Sequence, residues 1–487
     1  MPNSKQPVIV GGGPVGLLTA LYLAIRLDAD RKPLYPRILV LEKRGDLREE
    51  NNKESYSKQE YNVVISYRGL QSISGIPGLL EVMMDAGISY SRMQNCIRSD
   101  ELGNGLVVHT QGDKISIGRN KVVQILLDFI QQNFSSQIAI SFGKAVVDID
   151  FKQQKIYALP ASRARHPFES TQEAEVIDFS ALIGTDGSRS IVGEKLRRSV
   201  TEISYSCQPH PEPYISARIS HEDLKSANID FHPATMYTVQ PRTKGISLIS
   251  LPNHDSLGVN LVFEHRKNPE DCLFSNLSDS FKLRDFFINS FPTLGQVLYN
   301  SFAMKLGVTE LNTLQQLNIP KNYFLTTKYS QFHHPTNPAL ILGDAAHTMP
   351  PTVGQGINCG FGDVYYLSAV LDQTHDDWSK APALFNEKRQ PEAEAVQKLS
   401  QFVLSERGRF VFGLRLGFEV GRSILARRLP SGWIQLPVTQ LLSHTNVPYS
   451  QVLRARQSQF ATGCVVLLSA ISSVGYMAFK ATKRFWV

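Results

Sequence analysis

Residues 8–20 read VIVGGGPVGLLTA, and this stretch decides the fold. An apolar run at 8–10 enters a glycine turn, a helical pattern follows from 14 to about 26, and a second apolar run, ILVLE, covers 38–42. That order predicts a strand, a helix and a parallel second strand. Gly11, Gly13 and Gly16 form GxGxxG between the first strand and the helix. In that motif the first glycine makes the tight turn, the second admits a pyrophosphate against the backbone, and the third lets helix and strand pack closely. The helix N-terminus adds free N–H groups and the positive end of its dipole. Glu42 ends the second strand, where a carboxylate can accept from ribose hydroxyls. The polar insert DADRKPLYP at 28–36 explains why Glu42 lies farther from the glycines than usual. Pro14, Val15 and Lys43 border these positions and are counted with the nucleotide-contacting set.

Two further segments have the same logic. Residues 181–190, ALIGTDGSRS, form a short apolar strand ending in Gly184, Asp186 and Gly187. Residues 339–363, ALILGDAAHTMPPTVGQGINCGFGD, form a strand ending at Gly343-Asp344, a proline-containing loop and a glycine-rich helix start. Asp344 at a strand end can hold ribityl hydroxyls, while N–H groups from Gly354 through Gly356, Ile357 and Asn358 can face the pyrimidine edge of a flavin, which is anionic when reduced. Each segment alone is an ordinary strand–turn–helix. Their order and separation together are far more specific than any one of them.

The rest of the 487 residues sets bounds. With 42% hydrophobic and 20% charged residues the chain is globular, and its length predicts two to four structural units. A formal charge of +7, from 51 basic against 44 acidic residues, is compatible with anionic ligands or membrane surfaces and implies no nucleic acid. Five scattered cysteines, without CxxC or a Cys/His pair at ligand spacing, argue for reducing surroundings and against a metal site or disulfide scaffold. Apolar runs at 214–219, 246–251 and 259–263 predict antiparallel strands of a second domain. The charged stretch 46–60 reads as a solvated or mobile loop, and 378–428 as helical and rich in arginine. No secretory signal is expected at the N-terminus. Near the other end, residues 460–479 carry no charge over 20 positions and are followed by Lys480, Lys483 and Arg484, the pattern of a membrane-anchor helix.

With these motifs in place, the sequence resembles the group A FAD-dependent monooxygenases, and within them the kynurenine 3-monooxygenases. The segments that carry the likeness are NVVISYRG at 62–69, Arg92-Met93, SIGR at 116–119, GDAAH, GQGINCGFGD and KRQPEAEAVQ at 388–397. The resemblance implies an α/β (α+β) fold: a glutathione-reductase-like Rossmann FAD domain (1–72, 108–194 and 325–385), an interleaved antiparallel-sheet substrate domain (73–107 and 195–324), C-terminal helices (386–458) and the anchor (460–479). It also implies that Arg119 reaches the FAD pyrophosphate or ribityl region, Arg92 binds a substrate carboxylate, and Glu406 is an acidic pocket residue. Where the family has hydroxyl-bearing or aromatic pocket residues, this chain has Leu106, Thr439, Thr352 and Val353. His347 and Cys359 are expected to pack near the cofactor without a base partner.

The implied reaction is hydroxylation of an aromatic substrate through a flavin hydroperoxide, with NAD(P)H and O2 as co-substrates. It requires no protein nucleophile, which agrees with the lack of a Ser/His/Asp pattern. The alternatives are an epoxidase or hydroxylase of a hydrophobic prenylated or polycyclic substrate, and an oxygen-independent isoprenoid flavin reductase. Trp378, Trp433 and Trp486 cannot form a halogenase WxWxIP segment. The expected setting is a membrane surface, the catalytic part in a reducing, cytosolic compartment; a eukaryotic, family-like member would lie on the mitochondrial outer membrane.

Overall fold

The computed structural model describes residues 5–57, 60–110, 113–163, 173–241, 246–263, 279–306, 308, 322–405, 421–422, 428, 436, 438–458 and 472. Glu406 and, apart from Ser472, the anchor stretch 460–479 lie outside the described residues.

Strand β1 (Gln6–Val10) runs parallel to β2 (Ile38–Glu42), with Val8 opposite Leu39 and Val10 opposite Leu41. On its other side β1 pairs in parallel with Glu175–Gly184, which pairs in parallel with Ala339–Ile341. The three nucleotide signatures therefore end side by side along one sheet. Its central strands are rich in Val, Ile and Leu because both faces are covered. Helix α1 (Pro14–Ala24) covers one face and is buried nearly all round, since Gly356–Thr374 packs on its outer side. The antiparallel pair Lys144–Asp150 and Lys155–Pro160 extends this sheet.

A second sheet runs in the order Asn322–Tyr329, Tyr205–Ser220, Ser256–Phe263, Ile246–Pro252, Thr235–Gln240, Arg92–Ile97, Leu106–His109. The three runs expected to be antiparallel strands are so paired, with Ile215 opposite Leu261 and Leu248 opposite Leu261. The sheet is nevertheless mixed, because Thr235–Gln240 lies parallel to Arg92–Ile97. Hairpin neighbours are forced antiparallel, whereas these two strands come from distant parts of the chain and tertiary packing sets their direction. Tyr237, Val239, Leu248, Leu261 and Phe263 share a core with Phe287, Phe291, Leu298 and Phe302 from Ser280–Ser290 and Gly295–Lys305.

A small sheet of Asn62–Ile65, Ile115–Gly118 and Ile88–Ser89 joins the two layers. Asn62 Nδ2 donates to Pro252 O at 3.2 Å in the second sheet. The stretch 46–60 also departs from expectation, because it contains the helix Glu50–Ser57. Its charge pattern hid one apolar anchor, Tyr56, which is buried, donates to Gly45 O at 2.9 Å and lies under the Arg44 guanidinium.

Candidate functional site

The first glycine turn is shaped for a group that the protein leaves room for. Gly11 has φ +111°, and a Cβ there would lie 2.5 Å from Thr185 O. At Gly16 a Cβ would lie 2.0 Å from Gly11 O, so only glycine lets α1 approach the strand this closely. Gly13 is different. Its nearest neighbour would be Arg119 Nη2 at 3.8 Å, and as N-cap of α1 it offers no side chain to the helix N–H groups. Pro14 takes the first helical turn, where its missing N–H costs nothing. Val15 packs against both Gly343 and Gly360, joining the first signature to the third.

Glu42 is buried and accepts from Gly12 N at 2.7 Å and Arg44 N at 2.9 Å, which fixes its carboxylate beside the turn; Lys43 is exposed. Arg119 begins the helix Arg119–Asn133, with its N–H donating to Tyr61 O at 2.9 Å. Among the described residues it makes no ion pair, and its charge acts on Tyr61 and Asp344. Asp344 presents its carboxylate to solvent at the head of Asp344–His347; the protein around it raises its pKa against the pull of His347 and Arg119. Asp186 acts on the protein itself, since its carboxylate accepts from Ile191 N at 2.6 Å and Val192 N at 3.3 Å and so caps Ile191–Ser199.

At the third signature, Gly354 has φ +62°, and neither it nor Gly356 would bring a Cβ within 4 Å of anything. The backbone at the start of Gly356–Thr374 is thus open. Ile357 packs partly on the main core. Asn358 is buried, with its amide donating to Val64 O and Gly354 O and accepting from Ser66 N. Its side chain is used up in tying the loop to Asn62–Ile65, so only its backbone can face a ligand.

The support beneath this loop is not legible in the sequence. His347, expected to lack a partner, has its Nε2 2.6 Å from Asp363 Oδ2, which also accepts from Gly343 N at 2.8 Å. Arg389 Nε and Nη2 donate to Asp363 Oδ1 at 2.9 and 2.6 Å. Burial alone would raise the Asp363 pKa; the charges of His347 and Arg389 and these hydrogen bonds outweigh it and bring the pKa to about 2. Asp363 and Arg389 both stand in the family-like segments, but only tertiary contact pairs them. His347, Cys359 and Asp363 bring ligand atoms within 4.8 Å of one another, yet Arg389 already supplies the cation there. Cys359 is a neutral thiol, its pKa raised to about 12 by burial and by Asp363.

Arg92 Nη2 donates to Gln94 Oε1 at 3.1 Å, its Nε is buried without a partner among the described residues, and it shares its strand face with Cys96, which lies in the core under Ser280–Ser290. Leu106 sits 60% exposed on the strand Leu106–His109 at the sheet's edge. Thr352 Oγ1 donates to Ser400 O at 2.6 Å. Glu406 is not among the described residues.

The residues present fit FAD. Gly13 leaves space before a helix N-terminus, Arg119 fronts that space, Asp344 offers a free carboxylate farther along, and Gly354 and Gly356 leave backbone donors uncovered.

Comparison with known proteins agrees. Residues 296–400 match the family described as "FAD binding domain". Kynurenine 3-monooxygenase of Phaeosphaeria nodorum is 26% identical over 99% of this chain and 93% of its own length, and that of Saccharomyces cerevisiae is 27% identical over 99% of both. Among solved structures, 2-methyl-3-hydroxypyridine-5-carboxylic acid oxygenase superposes with a TM-score of 0.61 at 18% identity, covering 89% of this chain and all of that one. PqsL of Pseudomonas aeruginosa, in complex with 2-aminobenzoylacetate, gives 0.56 at 16% identity over 83% of this chain and 96% of its own. These structures establish the fold alone. With full-length relatives of one name and a nucleotide frame of matching kind, the chain is similar to the group A FAD-dependent monooxygenases, and to the kynurenine 3-monooxygenases among them.

Proposed function

We infer that this enzyme hydroxylates an aromatic acid of the kynurenine type, with FAD as its cofactor and NAD(P)H and O2 as co-substrates. The observation that carries the reading is Arg119 standing beside Gly13 with its charge reaching Asp344, together with the uncovered backbone at Gly354 and Gly356. Bound FAD, reduced by the nicotinamide, supplies the activated oxygen that is transferred to the ring.

The chain's own residues do the rest. Gly13 and the α1 N-terminus receive the pyrophosphate with Arg119, Glu42 with Lys43 beside it takes the adenosine ribose, and Asp344 takes the ribityl hydroxyls. Backbone N–H groups from Gly356 to Asn358 stabilise negative charge on the flavin's pyrimidine edge. Asp363 holds Gly343 N and His347, so Asp344 is presented from a fixed turn. Glu406 is a further pocket residue, and Asp186 orders the turn that borders the pyrophosphate. The domain limits given above are part of this reading. So is attachment to a membrane through 460–479, which rests on that stretch's composition; no described helix is long and apolar enough to cross a membrane.

L-Kynurenine should stimulate NAD(P)H oxidation and yield a product heavier by one oxygen atom. An enzyme that ignores kynurenine but oxidises a prenylated substrate, or turns over without O2, would refute the reading.

A further inference from the structure

Lys114 is a buried cation that takes no part in the flavin frame. It stands immediately before the strand Ile115–Gly118, which leads straight into Arg119, and only 5% of it is exposed. Its Nζ donates to Thr110 Oγ1 at 2.6 Å and lies 4.8 Å from the centre of the Tyr90 ring. Among the described residues it has no carboxylate partner. Two of the three ammonium protons are therefore left with no described acceptor, and burial lowers the pKa to about 8. A second polar group lies near it. His444 is near enough for Lys114 to depress its pKa, which burial and that charge together take to about 4, and its buried Nδ1 has no hydrogen-bond partner.

The surroundings put Lys114 on one face of the second sheet. Tyr90 donates to Met236 Sδ at 3.9 Å. Strand alternation sets Met236 opposite in facing to Thr235 and Tyr237, so Met236 points away from the core under Ser280–Ser290. His444 ends the helix Val438–His444, and the segment after it reaches the flavin loop, where Tyr449 donates to Gln355 Oε1 at 3.0 Å. Arg68 holds the end of that helix through Leu442 O at 3.1 Å and Leu441 O at 3.3 Å. Lys114 thus lies under Tyr90, which reaches Met236 on the sheet face away from that core, a place where a buried lysine without an anion is costly unless a ligand brings one.

We propose that Lys114, with His444 near it, binds the carboxylate of an aromatic acid substrate in place of Arg92, whose strand turns it toward the core under Ser280–Ser290. This rests on the monooxygenase reading above and names the group that the pocket would hold. The full-length, FAD-loaded enzyme should be titrated with L-kynurenine and with kynurenamine, which lacks the carboxylate, following the flavin absorbance. Lys114→Met should raise the Kd of L-kynurenine about 10- to 150-fold, while that of kynurenamine stays within about threefold. Lys114→Arg should keep part of the affinity. FAD stoichiometry should be unchanged and thermal stability equal or higher, since an unpaired buried charge has been removed.

Equal losses for both ligands, or no loss for either, would overturn the assignment of Lys114 and leave the monooxygenase reading intact. If wild-type enzyme ignores L-kynurenine but responds to 2-aminobenzoate, the named substrate is wrong, and the same comparison with 2-aminobenzamide decides Lys114. Silence of the wild-type flavin toward both acids overturns the aromatic-acid reading and this site together.

Discussion

Gly13 and Gly16 belong to one motif and should fail in different ways. A Cβ at Gly13 meets only the far end of Arg119, so Gly13→Val should fold and lose FAD, because the added methyls occupy the space left for the pyrophosphate. Loss of charge-assisted contacts there should weaken FAD about 10- to 150-fold, read as the flavin-to-protein ratio and by fluorescence titration. Gly16→Ala would press on backbone 2.0 Å away and should lower the thermal midpoint even in excess FAD. If Gly13→Val keeps its full complement of FAD, the cofactor is bound elsewhere.

Between elements, the decisive contact is the one among His347, Asp363 and Arg389. It ties the Asp344–His347 turn, Gly356–Thr374 and the 25-residue helix Ala381–Ser405 together with almost no solvent contact. Asp363→Asn would leave Arg389 buried without its counter-charge and should cost about 3–5 kcal/mol in denaturant unfolding. The sign of the pH dependence follows from the lowered pKa. Asp363 titrates near 2 in the folded chain against 3.8 ordinarily, so its contribution is complete above about pH 4 and is lost as the pH falls through 2. Acid unfolding of the wild type should contain this loss, and Asp363→Asn should flatten it. An unchanged acid transition in a folded Asp363→Asn protein would show that the cluster does not set acid stability.

For the molecule as a whole, the flavin frame and the proposed membrane attachment separate cleanly along the chain. The nucleotide signatures end at residue 363, about a hundred positions before the uncharged stretch 460–479. Deleting 461–487 should therefore leave the FAD ratio and kynurenine-stimulated turnover within about twofold while moving the protein from the membrane pellet to the supernatant. A truncated, folded enzyme that still pellets with membranes would place the attachment elsewhere.

The sequence alone determined the nucleotide frame, because that frame is local. A glycine needed for φ +111° at position 11, or for contact with backbone at position 16, is imposed within a few residues, and strand and helix periods on either side of it are legible without the rest of the chain. Short-range order could not show which side chains would meet across long separations. Asp363 and Arg389 are visible as letters of familiar segments, but their pairing with His347 depends on how three helices pack. Leu106 illustrates the opposite case, since counting along the chain puts it at a pocket position and the edge strand turns it to solvent. The direction of Thr235–Gln240 against Arg92–Ile97, the helix hidden in 46–60 and the burial of Lys114 beside His444 were likewise settled only by tertiary structure. The reason is physical: desolvation and charge pairing act through space, and residues hundreds of positions apart become neighbours only when the two sheets close on each other.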